Sequence, residues 1–114
     1  MKNKRKYKRV PLAGIATLSF EDKGQPISIE TVIANIALRG IGLYSYKPIA
    51  VKTGVSITIN FISADGSLQT NSIKGDVICN KKIDITYFIG IHFNERINIK
   101  NQPLLFEQIQ YFSL

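Results

Sequence analysis

Six short runs of β-branched and aromatic residues, separated by turn chemistry, constrain what this chain can fold into more than any other feature. Gly14 to Phe20 alternates as a half-buried strand does, with Ile15 or Ala16, Leu18 and Phe20 directed inward. Similar runs follow at Ile27 to Asn35, Ile41 to Tyr46, Gly54 to Ile62, Gln69 to Asn80 and Ile83 to Asn94. Between them stand Glu21-Asp22-Lys23-Gly24, Leu38-Arg39-Gly40, Lys47-Pro48, Ala64-Asp65-Gly66-Ser67 and Asn80-Lys81-Lys82, all rich in residues that favour turns. No helical period runs through these segments, so the expectation is an all-β chain, a six-stranded antiparallel barrel or sandwich. Closing the sheet would remove its exposed edges. The character changes at Pro103, where Leu104, Leu105, Phe106, Ile109, Tyr111 and Phe112 supply the apolar face of a short C-terminal α-helix. At 114 residues there is enough chain for one hydrophobic core, and we expect one domain.

The charge is uneven. Lys2, Lys4, Arg5, Lys6, Lys8 and Arg9 put six cations and no acid into the first nine residues, out of fifteen cations and eight acids in all. The rest of the chain is nearly neutral, so the net charge of +7 belongs to one N-terminal arm. Residues 1–10 are read as a flexible basic ligand-binding arm and 11–114 as the barrel with its helix. An arm of this kind is an electrostatic handle for an anion, whether nucleotide, nucleic acid or lipid head group. No apolar run reaches the roughly 18 residues needed to span a bilayer, and no apolar stretch of signal-peptide type follows the basic start. A cytoplasmic protein is expected.

Candidate catalytic groups are few. Cys79 is the lone cysteine, which excludes an intramolecular disulfide and multi-cysteine zinc sites; within Val77-Ile78-Cys79 it reads as a small buried hydrophobe. His92 is the single histidine and lies in Ile89-Gly90-Ile91-His92-Phe93, where no motif sets a nucleophile or metal partner beside it. The acids form no sequence-local pair for general acid and base work, and no glycine-rich phosphate loop opens a helix. The chain is read as a non-enzyme with no metal and no cofactor.

Two segments stand out. In Arg5-Lys6-Tyr7-Lys8-Arg9 two arginines lie four residues apart just before Pro11, and arginine can fork onto phosphate oxygens, bond the O6 and N7 acceptors of guanine, or stack on a base. In Asn35-Ile36-Ala37-Leu38-Arg39-Gly40 an asparagine and a glycine frame a turn. In that order, about one hairpin apart, the two segments resemble the paired signature of PilZ domains, R-x-x-x-R followed by D/N-x-S-x-x-G. A six-stranded barrel and a C-terminal helix belong to the same pattern, so the resemblance covers essentially the whole chain. Ala37 stands where the family usually has serine, which removes a hydroxyl contact.

The resemblance implies a receptor for the bacterial second messenger cyclic di-GMP. Arg5 and Arg9 would take the phosphates and guanine faces, Asn35 a guanine edge, and Gly40 would let the ligand approach the backbone. Lys4, Ala37 and Arg39 are secondary positions, and Lys4, before the first arginine, leaves one or two bound ligand molecules open. The arm would pass from disorder to order on binding and so signal to an effector protein, unidentified in the sequence, in the control of motility or biofilm. Two other readings compete: a small barrel that holds single-stranded nucleic acid, against which the near-neutral body argues, and a PilZ-like interaction module that no longer binds nucleotide.

Overall fold

The computed structural model describes residues 8–112. Six strands form in chain order, β1 Gly14–Asp22, β2 Gln25–Ala37, β3 Gly40–Ser45, β4 Gly54–Ile62, β5 Leu68–Ile83 and β6 Thr86–Phe93, followed by helix α1, Pro103–Phe112. They close into a barrel in the order β1-β2-β3-β6-β5-β4, every neighbouring pair antiparallel and β4 paired back onto β1. The all-β, six-stranded expectation is met, and closure removes the sheet edges that an open array would expose.

The inner face is built by alternation. Ala16 and Leu18 in β1, Leu43 in β3, Ile57, Ile59 and Phe61 in β4, and Ile89, Ile91 and Phe93 in β6 are all buried. Of the alternatives at the start of β1, Ala16 turns inward and Ile15 is exposed at the outer wall. Pro103 opens α1 at its first turn, where a missing N–H leaves no bond unmade. Leu105 and Ile109, one turn apart, join the barrel core with Ile97. The Gln102 carboxamide, one residue before the helix, hydrogen-bonds Asn71 and donates to the Ser72 carbonyl, so the helix start is tied to β5.

Two features depart from the expectations. The segment Asn80-Lys81-Lys82 is strand rather than turn, paired with Ile89, Phe88 and Tyr87, and the reversal falls at Asp84 and Ile85, with Asp84 in the left-handed region at φ 58°. Exposed lysines are tolerated there because both faces of that ribbon meet solvent. The second correction concerns Cys79. Register shifts between Val77 and Cys79, leaving Ile78 as an extra residue, and Cys79 pairs with Gly90 on the outer wall, half-buried, instead of entering the core. One extra residue reverses the inward and outward parity of everything after it.

Candidate functional site

The base of the basic arm is fixed to the barrel. Val10 and Ile36 exchange two backbone hydrogen bonds, each 2.8 Å, and both side chains lie in the core. The pairing arises because β1 covers β2 only as far as the Ile15 and Val32 pair, so the last turn of β2 would otherwise show an open edge. Val10 fills that edge. The bridge sets Arg9, which is exposed, one residue from the middle of Asn35-Ile36-Ala37, so two segments far apart in sequence meet at one place. Arg5 and Lys4 lie outside the described residues.

A bulge controls where Asn35 points. Ile33 pairs with Leu43 and faces inward; the register then shifts, Ala34 is left over, and Asn35 pairs with Gly42 while Ile36 returns to the core. Without the extra residue Asn35 would enter the barrel. With it, Asn35 reaches the outer wall and Ile36 keeps its place inside. The second bulge, at Ile78, sets Cys79 in the same lateral row, so Asn35, Gly42, Gly90 and Cys79 lie side by side across β2, β3, β6 and β5.

The middle of this row carries no side chains, and the neighbours use the space. A Cβ at Gly42 would lie 2.7 Å from Phe88 Cζ and 3.0 Å from Asn35 Oδ1, so the Phe88 ring and the Asn35 carboxamide both rest over that glycine. Phe88 is held edge-on by Tyr44, with ring centroids 5.7 Å apart. Asn35 Oδ1 is buried and accepts no hydrogen bond among the described residues, an arrangement that native proteins rarely keep without a partner. The glycine at the centre of the row is therefore covered by an aromatic ring, with one buried, unsatisfied acceptor beside it. Gly42, Gly90, Phe88 and Tyr44 are not among the residues expected from the sequence, although a glycine set between buried Ile or Leu neighbours in a strand marks a close approach on the other face.

Gly40 and Arg39 have positions of their own. A Cβ at Gly40 would sit 2.7 Å from the carbonyl oxygen of Ile91 in β6, so the glycine is required for two strands to pack. Ala37 pairs with Gly40 and is buried. Arg39 lines a groove with residues of the 94–101 loop, and its Nε is buried with no hydrogen-bond partner among the described residues. His92 is exposed on the outer wall between Gly40 and Asp76. Among the described residues, no three His, Cys, Asp or Glu side chains gather as a metal site, and no helix is long and apolar enough to cross a membrane.

Comparison with family models and with curated protein sequences gives no match. Solved structures do match. The Bacillus subtilis inhibitor of motility, MotI/DgrA, superposes with a TM-score of 0.68 at 15% identity, covering 98% of this chain and 50% of its own. The PilZ domain of YcgR from Escherichia coli, solved with cyclic di-GMP, superposes with a TM-score of 0.55 at 16% identity, covering 95% of this chain and 87% of its own. The fold is PilZ-like. The chain spans half the length of the MotI/DgrA chain it matches. In this PilZ-like barrel Arg9 and the Asn35 to Gly40 segment are neighbours because Val10 bonds Ile36.

Proposed function

We propose that this PilZ-like barrel is a cytoplasmic cyclic di-GMP receptor and not an enzyme. Arg5 and Arg9 bind the phosphates and guanine faces, Asn35 bonds a guanine edge, and Gly40 and Ala37 form the backbone beneath, with Lys4 adding charge. Arg39 is set in the neighbouring loop groove and lends its charge from there. The observation that carries this reading is the Val10 and Ile36 bridge, which anchors the arginine arm beside Asn35 by two hydrogen bonds. The buried, unbonded Asn35 Oδ1 adds to it, because a guanine N–H is the kind of donor that acceptor lacks.

With Val10 held in the core, only the residues before it need to order when ligand binds, which limits the entropy lost to roughly 1–2 kcal/mol for each residue fixed. Two charge-assisted arginine contacts, each about 1.5–3 kcal/mol, offset part of that, and the lysines of the arm supply more. Ordering of residues 1–9 then changes the surface shown to an effector protein, and the free and bound states differ by as much as the ligand prefers the closed arm.

Calorimetric titration with cyclic di-GMP, beside GTP and a short single-stranded oligonucleotide at near-physiological salt, tests the proposal. Saturable binding of cyclic di-GMP alone, weakened about 10- to 100-fold by Arg9→Ala and by Arg5→Ala, is expected. Absence of heat with cyclic di-GMP would sink it; binding of the oligonucleotide with a steep salt dependence would put a nucleic-acid barrel in its place.

A further inference from the structure

We propose that the groove between Arg39 and the 94–101 loop is a second anion site, built for a phosphoryl dianion and separate from the wall that carries Asn35. Arg39, Arg96 and Lys100 line it together with Glu95, which leaves a net charge of about +2 by count of the side chains. A phosphomonoester carries close to two negative charges at neutral pH, so the balance suits it. Arginine is also the side chain whose planar fork fits phosphate oxygens.

The loop is braced from within. Asn98 Oδ1 accepts the backbone N–H groups of Lys100 and Asn101, each at 2.9 Å. Asn101 answers with Oδ1 accepting from the Asn98 N–H at 2.8 Å and its amide donating to the Arg96 carbonyl at 3.0 Å. Two further bonds of 2.7 Å tie the turn after β2 to this region, from the Phe93 N–H to the Arg39 carbonyl and from the Ile97 N–H to the Leu38 carbonyl. Arg39 is thus held against the loop by the backbone on either side of it.

Within this frame Arg39 Nε is buried and has no hydrogen-bond partner among the described residues. A guanidinium N–H that leaves water without gaining an acceptor is destabilising, and native structures rarely keep one. An oxygen of a bound phosphoryl group supplies the acceptor once the Arg39 side chain turns toward the groove that it lines. The groove is open, about 940 Å³ in volume, and leaves room for a molecule larger than a lone phosphate to carry the anion. Neither Asn35 nor Gly40 lines this groove, and the inference does not depend on whether cyclic di-GMP binds.

The test is an NMR titration of the full chain with inorganic phosphate at fixed ionic strength, following the Arg39 side-chain N–H and the backbone amides of residues 94–101. AMP and O-phosphoserine titrated in parallel distinguish a nucleotide carrier from an amino-acid one, since the tighter of the two identifies it. We expect saturable shifts confined to the groove, weakened at least tenfold by Arg39→Gln and severalfold by Lys100→Gln, an exposed site where folding is not at stake. Cyclic di-GMP affinity is expected to be unchanged in Lys100→Gln. Non-saturating shifts, or saturation that neither substitution alters, would overturn the site. Loss of phosphate binding in Arg9→Ala would also overturn it, by assigning the anion to the arm.

Discussion

Gly40 is the position where a ligand role and a packing role make opposite predictions. A C···O contact is comfortable at roughly 3.3 Å, and a Cβ at Gly40 would stand 2.7 Å from the Ile91 carbonyl, an overlap of about 0.6 Å. Neither partner can yield cheaply. Gly40 pairs with Ala37 on one side and His92 on the other, and the adjacent Arg39 carbonyl is bonded to the Phe93 N–H, so β3 is held along both edges. Forcing strands apart by this much belongs with overpacked cores, which cost about 1–3 kcal/mol, against a gain of about 0.4–1 kcal/mol from stiffening the unfolded chain. Gly40→Ala should therefore lose about 1–2 kcal/mol. At this chain length that is a fall in Tm of about 4–8 °C, read by thermal or urea unfolding followed by circular dichroism. Gly42→Ala is the comparison, because its new methyl meets the side chains of Phe88 and Asn35 and not strand backbone; a smaller loss, about 1 kcal/mol, is expected there. If Gly40→Ala unfolds with the wild type while its cyclic di-GMP affinity drops tenfold, the packing argument is wrong and the glycine serves the ligand.

Val10→Pro removes the N–H that donates to the Ile36 carbonyl while leaving both arginines in place; cyclic di-GMP affinity should fall about tenfold, checked by calorimetry, and unchanged affinity would show that the anchor is unimportant. Thr31 is buried, with its hydroxyl donating to the Ala16 carbonyl at 2.7 Å, so Thr31→Val should lower stability by about 1 kcal/mol in urea unfolding. Asp65 is held down at about 2 by hydrogen bonds from the Ser63 hydroxyl, then from the Ser67 hydroxyl and N–H. Because its folded value is depressed, whatever order the carboxylate brings to the 63–67 turn is complete above the ordinary value of 3.8 and is lost as pH falls through about 2. A carboxyl titration by NMR reporting an ordinary midpoint would contradict this.

The strands were legible because β-branched and aromatic residues in alternation report a half-buried pleat directly, and the helix because Pro103 and the spacing of Leu105 and Ile109 report its start and its buried face. What alternation does not report is an extra residue. Val77-Ile78-Cys79 is apolar throughout, so nothing in it marks Ile78 as surplus, and Cys79 is misplaced by one step of parity. Asn80, Lys81 and Lys82 have the composition of a turn, whereas the reversal depends on the backbone of Asp84. The loop groove left no local trace at all: Arg39, Arg96 and Lys100 come together only through the bonds that Leu38 and Arg39 make to Ile97 and Phe93.

The same parity explains why the candidate wall exists. A regular six-stranded barrel built from this sequence would turn Asn35 and Cys79 inward, placing a carboxamide and a thiol among aliphatic side chains. Each bulge instead adds one residue, Ala34 in β2 and Ile78 in β5, and both act on the single lateral row that also holds Gly42 and Gly90. Two independent irregularities on opposite sides of one glycine pair have a common outcome: they keep the core apolar and leave Asn35 on the outer wall with one unsatisfied acceptor. Bulges gather where a strand must re-aim a side chain for function. Arg9 lies beside that residue because β2 runs past its last β1 pair, Ile15 with Val32, and Val10 covers the remainder at Ile36, one residue from the Asn35 that the bulge turns to the outer wall.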